Sequence, residues 1–176
     1  EDPRVQALQD KGSGYTMEDR RQLLAIIGEI LDELAQRYRA LAEAGKVELS
    51  LTPYAHPIAP LLQDFDTGRE AFPENPLPDS PAYPGGDERV HWHIERGLQV
   101  FEQHFGFRPR GCWPAEGGVS EQTLRTLTEH GFAWAATGEG VLGHSLGEAY
   151  QRYGPDMAAS LCHPYRLDAD GTACFF

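Results

Sequence analysis

Cysteine is scarce, with three in 176 residues, at Cys112, Cys162 and Cys174. An odd number without short paired spacing excludes a disulfide framework, and no Cys-x-x-Cys is present for zinc. The expectation is a reducing, cytoplasmic setting. Long apolar runs are also missing. A membrane-spanning helix needs at least about 18 consecutive apolar residues, so no membrane partner is expected. No charged-then-apolar leader stands in residues 1–15. Basic side chains are few, 15 against 27 acidic, for a net charge of −12. Such a chain lacks the positive face that a phosphate backbone requires, so no nucleic-acid partner is expected. The charge is compatible with a neutral ligand such as a sugar.

Hydrophobic residues make up 40% and charged residues 24%, an ordinary balance that excludes wholesale disorder. The length suits one domain with one core. It is short of the roughly 250 residues of a closed eight-fold barrel. The chain opens on Glu1 and stops inside the apolar Cys174-Phe175-Phe176. These ends read as those of a piece of something larger.

Residues 1–15 are polar, with only Val5 and Leu8 as an apolar patch. Thr16 then caps a helix whose apolar stripe runs Leu23, Leu24, Ile27, Ile30, Leu31, Leu34, Tyr38 and Leu41. Gly45 ends it. Residues 47–51 read as a short strand with Glu48 in its middle. Residues 72–86 carry Pro73, Pro76, Pro78, Pro81 and Pro84 and read as a surface loop rather than a linker. Asp87 starts a second helix that runs to Gly106. Residues 110–113 read as a strand, Ser120 caps a third helix, and residues 132–137 follow as a strand. Residues 146–153 read as a short helix and 173–176 as a last strand.

Helix, glycine and short apolar strand recur in that order, which predicts an α/β fold with a parallel sheet. In such folds chemistry sits beyond the carboxyl ends of the strands. Three places are picked out: residues 52–56, 113–117 and 137–140. The second reads Gly-Cys-Trp-Pro-Ala-Glu-Gly-Gly from Gly111 to Gly118. Glu116 there, beside Trp113, has the makings of a sugar-cleaving site: a carboxylate for the anomeric carbon and an indole for a pyranose face. The plain structural alternative is that Glu116 caps or solvates a loop and Trp113 is core. At the first place, His56 is either a structural hydrogen-bonder or a donor to a sugar hydroxyl. Glu48 either points inward, where it needs a partner, or lies on the polar face of an edge strand. His91 and His93 are two apart on a helix, cannot share one metal, and read as solvated with Trp92.

Residues 47–62 (Val-Glu-Leu-Ser-Leu-Thr-Pro-Tyr-Ala-His-Pro-Ile-Ala-Pro-Leu-Leu) resemble a motif of glycoside hydrolase family 57. Residues 111–120 resemble that family's nucleophile motif, and Trp134 to Leu142 resembles the following strand in its amylopullulanase-like branch. The resemblance implies an incomplete (β/α)7 barrel that acts on α-glucans with retention, without metal or cofactor. It makes Glu116 the nucleophile and places His56 beside it. Trp113, Tyr54 and Glu48 become pocket residues. The family's His-Gln-Pro strand is not in the sequence, and its acid/base Asp is expected beyond Phe176. Asp156, Asp168 and Asp170 do not stand in that context, and Gly138 replaces a more usual Asp. Residues 1–176 are thus expected to be part of one catalytic barrel, inactive alone. The alternatives are a metal-dependent polysaccharide deacetylase-like barrel, for which only His56 is well placed, and a non-catalytic glucan-binding protein. Oligomeric state is not legible.

Overall fold

A computed structural model describes residues 2–80, 82–147, 161, 163–167 and 171–175. The chain divides into two compact units, Glu1–Val47 and Glu48–Phe176.

The first unit is a pair of helices. Helix α1 (Pro3–Lys11) forms where the sequence showed a polar stretch with only Val5 and Leu8 as an apolar patch. Its signal is the start: Asp2 accepts a hydrogen bond from the Arg4 amide, and Pro3 occupies the first turn, where its missing N–H costs nothing. Helix α2 (Met17–Glu43) opens with a capping box between Thr16 and Asp19. Arg4 of α1 pairs with Glu29 of α2, and Lys11 with Asp19. Leu8 and Ile26 are buried, whereas every residue of the expected α2 stripe is exposed.

The second unit is a four-stranded parallel sheet alternating with helices, in the order β1-β2-β3-β4. The strands are β1 (Ser50–Leu51), β2 (Gly111–Cys112), β3 (Trp134–Ala136) and β4 (Ala173–Phe175). Between β1 and β2 lie α3 (Ala59–Gln63), α4 (Gly68–Ala71) and the long α5 (Gly86–Phe105). Helix α6 (Glu121–Glu129) joins β2 to β3, and α7 (Glu139–Leu146) follows β3. The predicted α/β class and parallel sheet are therefore present. Three details differ from expectation. Strand β1 starts at Ser50, so Glu48 precedes it. Two short helices, α3 and α4, occupy the stretch before the Pro-rich loop. Leu146 ends a helix instead of starting one, and residues 148–153 lie outside the described residues.

The core lies between the sheet and its helices. Val90, Ile94, Leu98 and Phe101 of α5 pack with Leu51, Cys112, Leu127 and Ala135. Each of the Val, Ile, Leu and Phe side chains contributes about 1.5–3 kcal/mol on burial. Burial pushes the Cys112 thiol up to about 12 and the Cys174 thiol to about 11, so both are packing groups rather than nucleophiles. Two glycines permit close approaches. A Cβ on Gly111 would sit 2.0 Å from the Trp134 ring, and one on Gly86 would sit 1.7 Å from the Leu62 carbonyl oxygen.

Candidate active site

The turn after β1 brings Tyr54, Ala55 and His56 beyond the strand's carboxyl end. The His56 amide donates to the Pro53 carbonyl at 3.0 Å and closes it. Tyr54 is tied to α5 twice: its amide donates to the His93 carbonyl at 3.0 Å, and the His93 Nδ1–H donates to the Tyr54 carbonyl at 2.7 Å. His93, expected to be solvated, is thus a brace. His91 is also engaged, 2.9 Å from His130.

The turn after β2 is built similarly. The Trp113 amide donates to the Leu51 carbonyl at 2.7 Å, which extends the β1–β2 pairing by one bond. Pro114 leads into a single 3₁₀ turn, Ala115–Gly117, and Ser120 caps α6. From β3, the Thr137 hydroxyl donates to the Gly117 carbonyl. Thr137 is buried, so this bond is made away from solvent.

The two turns meet. His56 Nε2 lies 2.9 Å from Glu116 Oε1, across 60 residues of sequence. An ionised carboxylate only accepts, so His56 is the donor. Both side chains remain open, His56 at 54% and Glu116 at 75%, and the pair can be reached by a ligand. Among the described residues, the non-glycine residues with positive φ are Ala55 (60°), His56 (57°) and Glu116 (54°). Gly117 follows Glu116 with φ 68°. The left-handed region costs a non-glycine residue about 1–3 kcal/mol, and such strain gathers where function over-determines the backbone. Here it aims both members of the pair.

The other expected residues stand close by. Trp113 and Tyr54 are exposed, at 49% and 42%. The plain alternative of a core Trp113 is therefore not realised. Glu48 is exposed and accepts from the Trp134 indole N–H at 2.8 Å. Its exposure matches the polar-face alternative rather than an inward carboxylate. That indole crosses the space over Gly111, where any side chain would block it.

A groove of about 820 Å³ opens beside Glu116. Its lining includes Ile58, Leu61, Phe72, Gly138, Val141 and His144. Sequence reasoning missed Phe72 and His144, which belong to no motif. It also missed Thr137 and His93 as braces, because their partners are main-chain carbonyls far away in sequence. Gly138 is extended and begins α7 without a side-chain cap. Asp156, Asp168 and Asp170 lie outside the described residues. Among the described residues, no group of three His, Cys, Asp or Glu side chains is placed to hold one metal ion. Nor is any helix among them long and apolar enough to cross a membrane.

A carboxylate held by a histidine beyond the carboxyl ends of parallel strands is where α/β barrels and open sheets carry their active sites. The particular family follows from comparison. The chain belongs to glycosyl hydrolase family 57, whose profile matches residues 11–176. No curated protein matches the sequence. Among solved structures, it is similar to the GH57-type branching enzyme of the hyperthermophilic archaeon Pyrococcus horikoshii. That match has a TM-score of 0.60 and 18% identity and covers 98% of this chain and 31% of that one. It is also similar to the alpha-amylase AmyC of Thermotoga maritima, with a TM-score of 0.53 and 16% identity, covering 98% of this chain and 29% of that one. At these identities the likeness is one of fold. The chain spans about a third of the length of either relative.

Proposed function

We propose that this chain carries the nucleophile half of a retaining α-glucan hydrolase or transglycosylase, with Glu116 as nucleophile. The observation that carries the reading is the His56–Glu116 pair at 2.9 Å, built from two left-handed turns at adjacent strand ends. His56 holds Oε1 by donating Nε2–H, which leaves Oε2 to attack the anomeric carbon. The glycosidic C–O bond breaks as the Glu116–sugar bond forms, and a second carboxyl group protonates the leaving oxygen. Water, or a hydroxyl of another glucan, then attacks the glycosyl-enzyme, and the second carboxyl takes its proton. In retaining enzymes the two carboxyl groups stand about 5–5.5 Å apart. The second is not assigned to a residue of this chain, and the chain alone is expected to show no glucan turnover.

Trp113 and Tyr54 offer aromatic surface for pyranose faces, and Glu48 holds the Trp134 indole by its N–H. A metal-dependent deacetylase would need a His/Asp ligand set, and no observation at the strand ends favours that reading. The family membership and the neighbours named as a branching enzyme and an amylase support an α-glucan.

The test is Glu116→Gln in the full-length protein, assayed on amylose. Loss of the nucleophile is expected to lower kcat by at least about 1,000-fold, in the range of removing one covalent-catalysis residue. Activity within tenfold of wild type would contradict the role. Wild type that binds glucan without turnover would instead favour a non-catalytic binding protein.

A further inference from the structure

A second pocket, of about 480 Å³, lies at the start of α5 and is lined by Pro84, Gly85, Glu88, Arg89, Trp92 and His93. Helix α5 leads into β2, so its first turns stand at the carboxyl ends of the strands, on the same face as Glu116. Contact is direct: His93 is bonded to Tyr54 on both sides of one residue, and Tyr54 is two residues before His56.

The pocket has the composition of a carbohydrate subsite. Trp92 is 53% exposed, an unusual state for so large an apolar ring. Its indole is braced edge-on, 5.9 Å from the Tyr54 ring at 84° and 4.9 Å from the His93 ring at 78°. Arg96 lies over Tyr54 at 5.7 Å, and Arg89 over Tyr83 at 5.5 Å. Because His93 Nδ1 donates to the Tyr54 carbonyl, Nε2 is left as the acceptor of the ring. Glu88 accepts and Arg89 donates. An aromatic face for the C–H side of a pyranose and planar polar groups for its hydroxyls therefore occur together. A phosphorylated ligand would meet Glu88 in the same pocket, and a chain with net charge −12. A purely apolar partner would leave Glu88 and Arg89 unsatisfied on burial.

We propose that the Trp92 pocket is a second subsite, which takes a pyranose unit of the same α-glucan remote from the bond attacked at Glu116. This rests on the function proposed above. It extends the binding face from the β1 turn onto α5.

The experiment uses the full-length protein carrying Glu116→Gln and measures maltoheptaose and maltose binding by calorimetry, with and without Trp92→Ala. Removing one aromatic anchor is expected to weaken maltoheptaose about tenfold, and maltose by much less. Equal weakening of both sugars, or none, would overturn the subsite. Trp92→Phe should keep most of the affinity. If Trp92→Ala does not fold, oxidation of Trp92 by N-bromosuccinimide, mapped by peptide mass, decides instead. Maltoheptaose should protect Trp92, and undiminished oxidation at saturating sugar would overturn the proposal. Loss of maltoheptaose affinity in a protein whose wild type never turns over glucan would keep the subsite and sink the enzymatic reading. Turnover of amylose with an indifferent Trp92 would do the reverse.

Discussion

The ends of β1 and β2 differ from the end of β3. The first two finish in turns that force non-glycine residues into the left-handed region, at Ala55, His56 and Glu116. Each of these turns is braced by a residue from elsewhere: His93 of α5 holds the Tyr54 carbonyl, and Thr137 holds the Gly117 carbonyl. The end of β3 is relaxed. Gly138 is extended and runs into α7, with no atom within 4 Å of where its Cβ would be. Three strand ends on one face thus divide the labour. Two bring His56 and Glu116 together at a cost in backbone strain, and the third supplies a brace from its buried threonine.

That division can be broken by substitution. The largest effect is expected at the strained ends. His56→Ala removes a hydrogen bond to a charged group, worth about 1.5–3 kcal/mol. It should lower kcat of the full-length protein on amylose about 10- to 100-fold. Gly138→Ala, at the relaxed end, should stay within about twofold on steric grounds. Comparable losses for the two would erase the distinction.

A smaller effect sharpens it. Thr137→Val keeps the shape but loses the hydroxyl that holds Gly117, a neutral hydrogen bond worth about 1 kcal/mol. A positioning role predicts a fall in kcat of about fivefold with KM unchanged, and recovery in Thr137→Ser. A merely structural role would lower melting temperature without that split, and Ser would not restore kcat.

The smallest effect lies away from the strand ends. Desolvation, then the neighbouring His91, holds His130 below its ordinary value of 6.5, while Glu95 and Glu129 raise it and Arg108 lowers it. The unfolded chain therefore binds the proton more readily than the folded one. The stabilisation is full above about pH 6.5 and is lost as pH falls through the lower folded value. His130→Gln should flatten the stability profile slightly between pH 7 and 5, as read by urea denaturation. The kcat ratio of His56→Ala to wild type at pH 7 should not change with it.

Much of the fold was legible because caps and periodicity are local. Thr16, Ser120 and Gly106 each mark a helix end within a residue or two of where it falls. Helix α1 was missed for lack of an apolar stripe, although Asp2-Pro3 is a start signal. Helices α3 and α4 are too short to show a period. The α2 stripe shows what periodicity leaves open. It predicts the helix, but all the residues named in it, Leu24 and Leu31 among them, are exposed, and the buried residue of α2 is Ile26, outside the stripe. At the site, Glu116 and His56 could be named from motifs. Their meeting could not, since 60 residues separate them. Nor could their left-handed backbone, which no residue type in the motif demands. The link from Glu48 to Trp134 hides for the same reason: it depends on Gly111 leaving room between them.

The central claim is that Glu116 becomes covalently attached to sugar. Treating the full-length protein with a fluorinated glucosyl fluoride, then locating the label by peptide mass, tests it most directly. A stable glucosyl adduct is expected on the peptide containing Glu116, and none in Glu116→Gln. A label on another carboxylate, or undiminished labelling of Glu116→Gln, would contradict it.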